Sequence, residues 1–194
     1  MSLKDDAAYL RSIGFYIGLS VFIFAAMTVM GYLAASSNSE LAMEMTKELE
    51  LLKWIMSLPS FMIMTVIFLK NLLACAMSVL FGLGLGIVPF LVVTSNGFLL
   101  GVVAYGVLNK EGFLFLLAGI LPHGIIELPT VLVSIAIGFR LGYLLTIAIL
   151  GEKPDLIGEI RTAVHILIRF IMPLLLLAAF TETYITPIAL SVVK

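Results

Sequence analysis

An all-α bundle of transmembrane helices is the fold class this sequence predicts, and three observations carry it. Of 194 residues, 62% are hydrophobic and only 12% are charged. A soluble domain carries roughly 25% charged residues, and half of that is too little to face water. The mean hydropathy is +1.20. Several uninterrupted apolar windows exceed the length of about 20 residues that crosses a bilayer as a helix. The length sets a single domain, residues 1–194. The expectation is a multi-pass protein of the cell membrane with about five or six spans, and its first partner is the lipid bilayer. A net charge of −1 with no basic face excludes nucleic acid. The single cysteine, Cys75, sits in an apolar run and reads as a small buried hydrophobe, with no disulfide framework around it.

Residues 12–36 hold no charge and form the cleanest span. No small-residue cleavage site clearly follows, so this reads as a retained span rather than a signal peptide. Beyond it, Glu40, Glu44, Lys47 and Glu48 recur at helical spacing opposite Leu41, Met45, Leu49, Leu52 and Met56. That pattern predicts an amphipathic loop helix over 38–58, lying at the interface and ending near Trp54. Residues 60–108 have length for two spans, with breaks expected at "FGLGLGIVP" and "TSNG". Residues 113–150 are awkward for one straight helix and tight for two. "LPHGIIELPT" (121–130) and "GFRLG" (138–142) interrupt them. The last segment, 162–193, is expected to be broken by Pro173 and Pro187. Broken or re-entrant helices are therefore expected near Asn96 and His123, inside the bundle, because irregular backbone at membrane depth needs protein or a cavity to receive it. Lys and Arg divide almost evenly in a six-span arrangement, which leaves orientation open.

Lipid-bathed helices associate through close backbone approach and polar contacts. Three Gly-x-x-x-Gly pairs supply the first: Gly82 with Gly86, Gly97 with Gly101, and Gly138 with Gly142. They suit packing within the chain or a face for a second copy. Lys70, Asn71, Asn96, His123, Glu127, Arg140, His165, Arg169 and Glu182 supply the second. A charge at the bilayer centre costs at least ~2.5–3.5 kcal/mol, so such residues turn inward and find partners. On a continuous helix, His123 and Glu127 share a face one turn apart. Arg140, 13 residues beyond Glu127, is a poor partner for it; Arg169 and Lys70 are better placed. The His123–Glu127 pair is open to four readings: a structural polar seam, part of an ion or solute pathway, a metal site, or hydrolytic catalysis. No His-Glu-x-x-His, Gly-x-Ser-x-Gly or P-loop pattern occurs. Two histidines and a lone glutamate are few ligands for zinc. The expectation is a protein that is not an enzyme and holds no metal or cofactor.

Asn71, "FGLGLG" (81–86), "NGFLLG" (96–101) and above all "PHGIIELP" (122–129) resemble the stage II sporulation protein M family of multi-pass membrane proteins. The likeness runs from about residue 65 to 150. It carries over residue by residue to Asn71, Gly82, Gly86, Asn96, Gly97, Gly101, His123, Gly124 and Glu127. The resemblance implies a membrane-embedded member of a complex. The bacterial namesake acts in engulfment during sporulation, beside peptidoglycan-degrading enzymes, and other members occur in archaea. Two functions stand as expectations. One is a membrane scaffold with a buried His–Glu seam, working as a homo-oligomer and holding other membrane or envelope proteins. Its structural glycines would be Gly82, Gly86, Gly97, Gly101 and Gly124. The other is a small channel or transporter whose binding site comprises Asn71, Asn96, His123 and Glu127. A water-filled cavity at His123 would favour the second, and a dry, hydrogen-bonded core the first.

Overall fold

Residues 3–38 and 57–193 are described by the computed structural model. The helices in them are α1 (Leu3–Ser12), α2 (Gly14–Ser37), α3 (Ser60–Leu80), α4 (Ile87–Lys110), α5 (Phe113–Ile149) and α6 (Leu156–Val192). A short 3-10 turn, Phe81–Leu83, follows α3. Helices α2 to α6 are each long and apolar enough to cross a membrane. The amphipathic helix expected over 38–58, with Trp54, falls almost wholly on 39–56 and so lies outside the described residues.

Contacts between helices fix their directions. Phe24 lies against Gly97, Thr28 against Gly101 and Tyr32 against Tyr105, so α2 and α4 run the same way. Asn71 lies beside Glu127 and Gly82 on Gly138, so α3 and α5 run together in the opposite sense. His123 meets Thr186 and Arg140 meets Glu159, which makes α6 antiparallel to α5. Residues 3–13, 81–86 and 150–155 therefore gather at one face of the bundle. Residues 38, 57–59, 111–112 and 193 gather at the other. Helix α5 touches α2, α3, α4 and α6 and is the centre of the bundle.

Two of the glycine pairs close on each other. A Cβ on Gly82 would lie 2.5 Å from the Gly138 carbonyl oxygen, and one on Gly142 would lie 2.5 Å from the Gly86 nitrogen. The turn after α3 thus rests directly on α5, where only glycine leaves room. Gly86 also takes φ +76°, a left-handed conformation that starts α4. The third pair serves α2: a Cβ on Gly97 would lie 2.7 Å from the Phe24 carbonyl oxygen, and one on Gly101 would meet Thr28 and Tyr32 backbone. Gly31 makes the reciprocal approach to Phe98. Around these seams, Cys75, Val79, Ile137, Leu141, Ile166 and Leu175 form the buried core.

The breaks expected near Asn96 and His123 do not occur. Helix α4 runs unbroken through "TSNG" because its short polar side chains bond to the turn before them. Thr94 Oγ1 donates to Phe90 O at 2.8 Å, Ser95 Oγ to Leu91 O at 2.7 Å and Asn96 Nδ2 to Val92 O at 2.7 Å. Residues that start turns in water are here satisfied without leaving the helix. Helix α5 likewise holds across Pro122, Pro129 and "GFRLG" as one element of 37 residues. In lipid, opening a helix exposes backbone groups at several kcal/mol each, and Thr130 Oγ1 donates to Ile126 O at 2.6 Å beside Pro129. The length is resolved by overshoot. At 1.5 Å per residue α5 is about 55 Å long against a hydrocarbon core of about 30 Å. It passes the 81–86 turn and continues beyond that face. Helix α6 is not broken at its prolines but widened into π turns, Leu167–Ile171 and Thr181–Ile185, each ending just before Pro173 or Pro187.

Candidate functional site

Glu127 lies 14 residues into α5, about 21 Å along it by helical rise, level with Asn71 at the middle of α3. His123 stands one turn earlier on the same face. The second π turn of α6 brings Glu182 to them: ligand atoms of His123, Glu127 and Glu182 all lie within 4.8 Å of one another. π bulges recur at functional sites because the extra residue re-aims side chains. This one carries Glu182 and ends at Thr186, whose hydroxyl lies 3.4 Å from His123 Nδ1. Thr186 Oγ1 donates its proton to Thr181 O at 3.3 Å, the five-residue spacing of a π turn. The hydroxyl oxygen is thus free to accept from Nδ1 when that nitrogen carries the proton.

A cavity of about 350 Å³ opens beside the cluster. Asn96, His123 and Glu127 lie at its inner end, and Val107, Phe115 and Leu190 toward the second face. Its walls are otherwise apolar. The Glu127 Oε2 atom is buried with no hydrogen-bond partner. Asn71, 7% exposed, lies against the Glu127 carboxylate from α3. Lys70, exposed on the same helix, and Glu182 are the charges nearest Glu127. Asn96 is turned back onto its own helix and lines the cavity from α4. The four residues expected to bind, Asn71, Asn96, His123 and Glu127, therefore lie around one volume, with Asn71 behind the carboxylate rather than on the cavity wall. Gly124 lies between His123 and Glu127 in chain order, and an added Cβ there would meet only side chains of its own helix.

Sequence reasoning missed the partner. Glu182 stood among the polar residues of the last segment, but the two π turns shift its register out of reach of helical counting. Arg169, expected near Glu127, instead lies 3.5 Å from Asp6, and His165 Nε2 lies 3.3 Å from the same carboxylate. Asp6 is 2% exposed, on a helix the polar set did not include. Arg140 pairs with Glu159 at 3.6 Å, and the Tyr9 hydroxyl lies beside Glu159. This second cluster ties α1 to the ends of α5 and α6 near the first face. Burial, and then the Glu159 charge, push the Tyr9 phenol up from its ordinary value.

Five apolar spans around a mid-bilayer His–Glu–Glu cluster define a multi-pass helical membrane protein. The sequence profile described as stage II sporulation protein M matches residues 20–187, and the chain belongs to that family. Uncharacterized protein MJ0793 of Methanocaldococcus jannaschii is 36% identical over 118 residues, 59% of this chain and 64% of its own. Uncharacterized protein MJ0706 of the same organism is 31% identical over 145 residues, 72% of this chain and 63% of its own. The chain thus spans under two thirds of the length of these relatives. No solved structure matches it.

Proposed function

We propose that this protein is a non-enzymatic component of the cell membrane that binds a small solute or ion within the bilayer and passes it across, as a channel or small transporter. The observation that carries this reading is the cavity lined by His123 and Glu127, with the Glu127 carboxylate at its inner end backed by Asn71. Polar groups buried in a membrane are costly and mark pathways or sites.

A scaffold reading stands second, favoured by the backbone-to-backbone glycine seams, which make a rigid bundle. In it, a homo-oligomer or other membrane proteins would assemble on glycines left open. Gly14 and Gly18, four apart on α2, have nothing within 4 Å of an added Cβ. Proteoliposomes separate the two. Under gradients of H⁺, Na⁺, K⁺ and Mn²⁺, the transport reading expects flux of at least one above empty liposomes, abolished by Glu127→Gln with thermal stability in detergent retained. Absence of flux for the whole panel would remove this reading in favour of the scaffold.

A further inference from the structure

We propose that His123, Glu127 and Glu182 form a divalent metal-cation site, with Zn²⁺, Mn²⁺ and Co²⁺ as the class of ligand. This rests on the reading of the cavity as a binding site and names what it binds.

Charge is the first argument. Two carboxylates within 4.8 Å of each other at mid-bilayer cannot both stay ionised without a cation between them. Among the described residues, no Lys or Arg forms an ion pair with Glu127 or Glu182, whereas the buried Asp6 has both His165 and Arg169. A divalent ion beside two carboxylates and a neutral imidazole gives a site of zero net charge, which hydrocarbon tolerates. A monovalent ion neutralises only one of the two carboxylates, and the nearest protein cation, Lys70, is exposed on α3.

Donor type is the second. A mixed nitrogen and oxygen set favours first-row ions such as Mn²⁺, Co²⁺ and Zn²⁺ over Na⁺, K⁺, Mg²⁺ or Ca²⁺, which take oxygen alone. Ligand atoms around such an ion stand about 3–3.5 Å apart, given bonds of about 2.0–2.2 Å. The three donor atoms, within 4.8 Å of one another, would have to close by about 1–2 Å to share an ion. The third argument is the orientation of the ring. Metal-bound imidazoles hold their other nitrogen in a hydrogen bond; Thr186 stands at His123 Nδ1 and fills that role with Nε2 as the ligand atom. Three protein ligands leave a further coordination position toward the cavity, as in sites that exchange what they bind.

Purified wild-type protein in nanodiscs, dialysed against Zn²⁺ or Mn²⁺ and analysed for metal, tests this directly. One ion per chain is expected. Glu127→Gln, Glu182→Gln and His123→Ala each should weaken binding by about 100-fold or more, since even outer partners of a metal ligand contribute 10–100-fold. His165→Gln, in the other cluster, should leave it unchanged. Should the site variants fail to fold, X-ray absorption at the zinc edge of the loaded wild type decides alone. Nitrogen and oxygen neighbours with imidazole scattering are expected, retained in His165→Gln. Wild-type protein taking up no more Zn²⁺, Mn²⁺ or Co²⁺ than empty nanodiscs, or bound zinc without an imidazole, would overturn the proposal. So would proton flux that Glu127→Gln abolishes in a protein that takes up no metal, although transport would then stand. Metal bound with no flux in liposomes would keep the site and remove the transport.

Discussion

Tyr9 shows how one side chain reports on its surroundings. Its hydroxyl is buried beside Glu159 where α1 meets the ends of α5 and α6, and burial first, then that carboxylate, raise its pKa. Below about pH 10, the ordinary phenol value, the group is neutral whether the chain is folded or not. Above it, the unfolded chain loses the proton while the folded chain keeps it, so stability present at lower pH is lost as pH rises. Melting temperature in detergent should therefore fall between pH 10 and 12, and fall less steeply in Tyr9→Phe. Equal slopes for the two proteins would place Tyr9 in contact with water. At mid-bilayer the same scale of argument applies to Glu127. Glu127→Gln keeps a group that can meet Asn71, whereas Glu127→Leu leaves the Asn71 amide, buried at 7% exposure, facing methyl groups. A buried polar group so stranded costs about 1–3 kcal/mol. Thermal unfolding should show Leu well below Gln, and a reversed order would mean the carboxylate stabilises nothing.

Between elements, the glycine seams make sharper demands than the spacing alone suggested. Spacing alone makes leucine at Gly101 far more harmful than alanine. The structure makes even alanine harmful there, because the added Cβ would meet the backbone of Thr28 and Tyr32. Gly101→Ala should cost about 1–3 kcal/mol, the range for overpacking a tight interior. Gly106→Ala, on the same helix but with nothing within 4 Å, should be neutral or slightly stabilising, since alanine favours a helix by about 0.5–1 kcal/mol over glycine. Equal melting temperatures for the two variants would show that α2 and α4 do not touch through Gly101. The spans themselves were legible, because length and hydropathy are set by the bilayer. What was not legible depended on the same solvent. "TSNG" and the two prolines of α5 read as breaks by rules drawn from water, where a freed backbone group finds a solvent partner. In lipid it does not, and the helix persists. The π turns escaped notice because they depend on how Pro173 and Pro187 are accommodated, and with them went the register that sets Glu182 beside His123.

The path of the whole chain turns an undecided question of orientation into a prediction. With five spans, Lys4, Arg11, Lys153 and Arg161 lie on the face that holds the 81–86 turn, and Arg140 and Arg169 sit in the polar cluster nearest it. The opposite face has Lys110, while Lys47, Lys53 and Lys194 lie outside the described residues. Among the described residues near span ends the division is uneven once Arg140 and Arg169 are counted with the first face, whereas a sixth crossing would move Lys153 and Arg161 away from Lys4 and Arg11. Positive residues in short segments near span ends are retained in the cytoplasm, so the face with Lys4 and Lys153 should be cytoplasmic. The cavity, which runs from Glu127 toward Val107 and Leu190, would then approach the outer face. Single cysteines at Lys153 and at Lys110 in a Cys75→Ser background, treated with a membrane-impermeant maleimide, check this. Position 153 should label in inside-out vesicles and position 110 in right-side-out ones. The opposite pattern would invert the protein and turn the cavity to the cytoplasm. Labelling of both positions in the same vesicles would contradict the single crossing of α5 that separates them.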